Sequence, residues 1–262
     1  MGLKLTLLIV LVLAAASIAL AVEATDTSPD RAAASKSSPS VLVYTRTTGF
    51  RHDSIPAGIA AIRRLGKQNG FRVAATESPG AFKGKRLRRH AAVIFLNTTG
   101  DVLAPKGQAA LRQFVRAGGG FVGIHSAADT EYEWPFYGRL VGARFQSHPA
   151  VQQASIDVVD RAHPSTRGLP ARWTRTDEWY NFRSNPRGNV GVLAALDEGS
   201  YSGGTMGADH PIAWCHRVGA GRAWYTAGGH TSSAFAEPLF LTHLIGGVRW
   251  ASGDVKGSCP VP

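Results

Sequence analysis

The stretch Ala117-Gly-Gly-Gly-Phe-Val-Gly-Ile-His125-Ser126 constrains this chain more than any other. A short apolar strand over 121–124 leaves a glycine-rich stop and runs directly into a turn that presents a histidine. The glycines permit a tight turn and close backbone approach. In an α/β sheet, such a strand-to-turn junction holds a reactive side chain over the strand ends. Histidine at that position suits the role of base or metal ligand better than that of nucleophile. The backbone N–H groups that follow it can hold an anionic oxygen.

The surrounding pattern fits this reading. Apolar strands over 40–44, 71–75, 91–96 and 121–124 alternate with helical periodicity over 55–68 and 105–117. The run at 91–96 is wholly apolar, which predicts a central strand buried on both faces. Beyond it the sequence predicts a short helix over 133–141, anchored by Trp134, Phe136 and Leu140. Further strands are expected over 152–159, 178–182, 190–196, 212–216 and 222–225. A hairpin is expected at Gly219-Ala-Gly221 and a terminal helix over 235–250. The fold class expected is α/β: a flavodoxin-like, doubly wound, mostly parallel sheet flanked by helices, with a C-terminal antiparallel extension.

The termini read differently. Lys4, the apolar run from Leu5 to Leu13 and the small-residue pattern Ala19-Leu20-Ala21 predict a signal peptide over 1–21. Residues 22–39 read as a flexible leader, 40–252 as one domain and 253–262 as a tail. The expected location is secreted and extracellular, with no membrane attachment after cleavage. Cys215 and Cys259 are the two cysteines, and in a secreted chain they are expected to pair. The net charge of +11 raises the possibility of a polyanion partner. No nucleic-acid motif accompanies it. The densest basic run, Lys83, Lys85, Arg86, Arg88, Arg89 and His90, is expected to be a solvated loop or short helix.

Candidate site residues cluster after predicted strands, the edge where open α/β sheets bind ligands. Arg51 and His52 follow the first strand, Asn97 and Thr98 the third, His125, Ser126 and Asp129 the fourth, and His230 the last. Glu178 sits in Asp177-Glu-Trp-Tyr180, where partial burial beside aromatics would raise a carboxyl and suit it to acid–base work. His125, Glu178, Asp129 and His230 are the catalytic candidates. Arg51, His52, Trp134, His148, Trp179, Tyr180 and His210 are the substrate-binding candidates. His125 and His230 are the metal candidates, and histidine plus carboxylate suits zinc or another divalent ion. Glu131 and Glu133 read as solvated or capping. No His-Glu-x-x-His and no Gly-x-Ser-x-Gly occurs, and no Gly-x-Gly-x-x-Gly follows the first strand.

These pieces together resemble the ThuA-like (trehalose utilisation) family, within the class I glutamine amidotransferase-like fold. The resemblance rests on Tyr44-Thr-Arg-Thr-Thr-Gly-Phe-Arg51-His52-Asp-Ser-Ile55, the Gly118 to Ser126 stretch, Thr176-Asp-Glu178-Trp-Tyr180 and Gly228-Gly-His230-Thr. Pro211-Ile-Ala-Trp-Cys215 and Gly246-Gly-Val-Arg-Trp250 extend it. Amidotransferases place a cysteine where this chain has His125, and Cys215 lies on another strand, so glutamine hydrolysis through a thioester is not expected. The resemblance implies carbohydrate metabolism, with a sugar or glycoside as ligand. The expected function is cleavage or modification of a glycoside or keto-glycoside by a histidine/carboxylate site at the strand-end cleft. The alternative is a non-catalytic carbohydrate-binding module using Trp134, Trp179 and Tyr180 as a platform.

Overall fold

The computed structural model describes Met1 and residues 38–262. The expected signal peptide lies outside these residues apart from Met1, as does the leader apart from Ser38 and Pro39. Residues 38–262 belong to a single compact unit.

Four strands follow the expected alternation: β1 (Ser40–Tyr44), β2 (Arg72–Thr76), β3 (Ala92–Leu96) and β4 (Gly120–Ile124). All five residues of β1, β3 and β4 are buried, as continuous Val/Ile/Leu/Phe runs require in a sheet covered on both faces. The connecting helices are α1 (Ile55–Gln68), the four-residue α2 (Gly84–Leu87) and α3 (Pro105–Arg116). Pro56 and Pro105 sit in the first turn of their helices, where the missing N–H costs nothing. The basic run forms α2, pinned by a fully buried Leu87 while its charges stay in water.

After α4 (Pro135–Val141) come β5 (Phe145–Ser147), β6 (Gln152–Val158), β7 (Arg172–Asp177), β8 (Asn181–Phe182), β9 (Gly191–Asp197), β10 (His210–Val218) and β11 (Gly221–Thr226). The nine-stranded sheet runs β2-β1-β3-β4-β11-β10-β9-β6-β7. Its β2-β1-β3-β4-β11 half is parallel, and the remainder pairs antiparallel. The expected fold class therefore holds, with Gly219 and Ala220 turning the β10–β11 hairpin. β5 and β8 form a separate antiparallel ribbon.

Three local expectations change. The strand expected over 178–182 pairs only at Asn181–Phe182, because residues 178–180 bend out of the sheet to reach the strand-end edge. β7 was not expected, yet its alternating burial is that of a strand with one face on the core. The last helix, α5, starts at Pro238 and ends at Ala251. A short 3-10 turn at Ser232–Ala236 replaces its expected first residues.

The tail closes onto the body. Cys259 is bridged to Cys215 on β10, and Trp250 Nε1–H donates to the Gly257 carbonyl at 3.0 Å. Chain order reverses between β1 and β3. That topological switch point opens a crevice at the carboxyl ends of the parallel strands.

Candidate metal and active site

His125 leaves β4 with φ of 50°, a left-handed conformation that is costly for a residue with a Cβ. Two bonds hold it there. Its Nδ1 lies 2.7 Å from the Ala227 carbonyl, an oxygen that can only accept, so Nδ1 carries the proton and donates. Tyr225 O–H donates to the His125 carbonyl at 2.8 Å. Nε2 is then the nitrogen that faces the site, a lone pair while the ring is neutral and a donor toward Glu178 when it is protonated.

His230 reaches the same point through the turn after β11. Gly229 adopts φ of 112°, which only glycine takes without strain, and an added Cβ would lie 3.0 Å from Ile124 Cγ2. The turn is held from two sides. Asn97 Nδ2 donates to the Gly229 carbonyl at 3.0 Å and to Ser54 Oγ at 2.9 Å. Asp177, fully buried at the end of β7, accepts the N–H groups of Gly229 at 2.8 Å, His230 at 3.0 Å and Glu178 at 3.0 Å. Arg175 supplies the counter-charge at 2.5 Å and extends to Glu237 at 2.8 Å.

Glu178, His125 and His230 converge. Glu178 Oε2 lies 3.3 Å from His125 Nε2 and 3.1 Å from His230 Nδ1, and those two nitrogens are 3.2 Å apart. His52, from the loop after β1, stacks edge-on against both rings, with centroids 4.8 and 5.0 Å away. One ligand atom from each of His52, His125, Glu178 and His230 falls within 4.8 Å of the others. Lone pairs crowded so closely need protons or a cation among them. Three imidazoles and a carboxylate match the donor set that holds zinc or a similar divalent ion.

Protonation follows from these neighbours. Burial, together with the nearby His125 and His230, pulls His52 down to about 3, so its ring is neutral. Burial works to raise the Glu178 carboxyl. The hydrogen bonds and charge of His125 and His230 outweigh it and hold the group well below the usual carboxylate range. Glu178 in turn raises His230 through their hydrogen bond.

Three members of the cluster line a cavity of about 300 Å³, with His125 buried behind them; its walls are Phe50, His52, Asp129, Phe145, His148, Glu178, Tyr180 and His230. The β5–β8 ribbon brings Phe145 and His148 beside Tyr180, whose ring lies 4.2 Å from His125 and 4.3 Å from Phe145. His148 Nδ1 lies 3.0 Å from Glu178 Oε1 and 2.9 Å from the Pro149 carbonyl. Both partners are acceptors, so Nδ1 carries the proton and Nε2 is left basic. Asp129 accepts the Tyr132 O–H at 2.6 Å, and burial raises its carboxyl.

Of the residues singled out from sequence, His52, His125, Asp129, His148, Glu178, Tyr180 and His230 meet here. Four others do not. Arg51 turns to solvent and pairs with Glu77 at 2.6 Å. Trp134 packs into the core against Phe136 and Tyr137. Trp179 is fully buried, its Nε1–H donating to the Gln152 carbonyl at 2.9 Å. His210 is enclosed between Glu198 at 2.7 Å and the Tyr180 carbonyl at 2.8 Å, so it steadies Tyr180 from behind. The three-aromatic platform therefore does not exist as a surface. Glu131 is a cap, accepting the N–H groups of Val102 at 2.9 Å and Leu103 at 2.6 Å ahead of α3. Sequence reasoning missed Asp177, Phe50 and Phe145. The polar–apolar alternation of Arg172 to Asp177 was the available signal for Asp177.

Similarity to known proteins agrees with this geometry. A ThuA-like protein from Bacteroides uniformis superposes with a TM-score of 0.71 at 25% identity, over 81% of this chain and 91% of that one. A ThuA-like protein from Parabacteroides merdae gives 0.70 at 18% identity, over 86% and 94%. A β-galactosidase from Bacillus circulans sp. alkalophilus shares the fold at a TM-score of 0.56 and 16% identity, over 83% of this chain and 31% of that one. No curated protein matches the chain. The sequence model of the ThuA, or trehalose utilisation, family matches residues 40–251, and the chain belongs to that family.

Proposed function

We propose that this is a secreted, carbohydrate-active enzyme that cleaves or modifies a glycoside or keto-glycoside in the strand-end cavity. In this reading His52, His125, Glu178 and His230 hold a divalent metal such as zinc. One observation carries it: His125 Nε2, the Glu178 carboxylate and two further imidazoles converge at a sugar-sized cavity. Secretion rests on the sequence pattern of residues 1–21, and the Cys215–Cys259 bridge suits an oxidising compartment. Among the described residues no helix is long and apolar enough to cross a membrane. No specific nucleic-acid partner is part of this reading.

When bound, such a metal supplies positive charge to a substrate oxygen that becomes negative during reaction. The chain's own residues handle the protons. His148 Nε2 accepts a proton from the carbon beside a sugar carbonyl, while Glu178 holds the His148 ring through Nδ1. Asp129, its carboxyl raised by burial and oriented by Tyr132, is the acid placed to give a proton to the departing glycosidic oxygen. Tyr180 and Phe145 provide the apolar wall that keeps water from these transfers.

The test is turnover of a panel of glycosides and 3-keto-glycosides, followed by release of the free sugar. The expected result is turnover by the wild type, with loss of at least about 100-fold in His125→Ala and Glu178→Gln. Sugar binding without turnover across the panel would transfer the protein to the class of carbohydrate-binding modules.

A further inference from the structure

Phe50 is the one phenylalanine, tyrosine or tryptophan side chain left exposed among the described residues, at 66%. It stands on the wall of the cavity that holds the histidine–glutamate cluster. Single exposed apolar side chains are common on protein surfaces; what sets Phe50 apart is that its ring lines this cavity.

The ring is not carried on a loose loop. Thr99 Oγ1–H donates to the Phe50 carbonyl at 2.8 Å, and Thr48 N–H donates to the Thr99 carbonyl at 2.9 Å. A parallel bridge between Thr47 and Thr99 ties the same segment to the loop after β3. The ring itself stands edge-on to His52, with centroids 4.9 Å apart and planes at 87°. A platform held this way loses little freedom when a ligand settles on it.

The volume limits what can settle there. About 300 Å³ is the small end of ligand pockets. It takes one six-membered sugar ring with its linkage oxygen rather than a run of rings. The C–H face of a pyranose meets the negative face of an aromatic ring favourably, and stacking leaves the polar edge of the sugar to Asp129, His148 and the cluster.

We infer that Phe50 is the stacking platform for a single terminal pyranose ring, so that the site works at the end of a glycoside and not within a chain. This rests on the carbohydrate reading above. Phe50 is a substrate-binding residue in this account.

The experiment is calorimetric titration of the secreted protein and its Phe50→Ala and Phe50→Trp variants. The probes are the methyl glycosides of glucose, galactose and mannose, their 3-keto derivatives, and a pentasaccharide of whichever sugar binds tightest. Phe50→Ala is expected to weaken binding about five- to tenfold, with Phe50→Trp restoring it and the thermal midpoint unchanged in both. The pentasaccharide is expected to bind no more than a few-fold tighter than the methyl glycoside. Equal affinity in wild type and Phe50→Ala would overturn the platform and leave the carbohydrate reading standing. A pentasaccharide advantage well above tenfold would overturn the single-ring limit. If the wild type binds none of these sugars, the carbohydrate reading fails and this inference fails with it.

Discussion

Asp177 Oδ1 accepts the backbone N–H of His230 at 3.0 Å, so a carboxylate that never lines the cavity sets the position of an imidazole that does. The same side chain accepts the N–H of Glu178, tying two members of the cluster to one buried anion.

Asp177→Ala is therefore expected to damage fold and site together. It leaves Arg175 buried without its near partner and three N–H groups unsatisfied, which should cost about 3–5 kcal/mol. Urea unfolding gives the stability change. Metal titration of the fraction still folded gives the second reading, where affinity should fall as well. Normal stability in Asp177→Ala would show that the clamp is dispensable.

Stability should fall on the acid side, beginning near pH 6.5. Burial pulls His163 and His243 down to about 4, and both lie away from the cavity. The folded state keeps these rings neutral, while the unfolded chain takes up their protons near 6.5. Their contribution is thus complete above about pH 6.5 and is lost progressively down to about pH 4, up to roughly 3 kcal/mol for each ring. Glu178, held low, adds a further loss below its ordinary unfolded value of about 4.3. Urea midpoints measured from pH 8 to pH 4 should stay level and then drop. A level profile down to pH 4.5 would contradict the buried, neutral assignment.

Reduction of the Cys215–Cys259 bridge should destabilise the domain without unfolding it. The bridge closes a sequence separation of 44 residues, which corresponds to about 3–4 kcal/mol of lost constraint on the unfolded chain. Cys259→Ser compared with the oxidised wild type in urea measures this directly, and Cys259 is the better choice because Cys215 is fully buried.

The parts of this molecule legible in sequence were those with a strong local pattern. The continuous apolar runs of β1, β3 and β4 and the glycines before His125 announce a parallel sheet and its reactive edge. His52, His125 and His230 were recognisable because each follows a strand end. The residues that were misplaced share a different property. Trp134 and Trp179 stand beside acids in the sequence, but adjacency does not say which side of the chain faces the cavity. At 178–180 the backbone leaves the sheet, which sends Glu178 to the site and Trp179 to the core. His210 looked like a ligand because a proline fixes its loop, yet it stiffens the chain behind Tyr180 instead. Asp177 works through backbone N–H groups 52 and 53 residues away in sequence, and no local pattern carries such a contact.

The central claim is that the four-residue cluster is a metal site, and metal content tests it most directly. The protein, purified without added metal or chelator, should contain about one divalent ion per chain by elemental analysis. Glu178→Gln, which keeps the size of the side chain and removes its charge, should lower the affinity by more than about 100-fold. Protein that carries no stoichiometric metal, and that binds neither zinc nor another divalent ion on titration at neutral pH, would contradict the account.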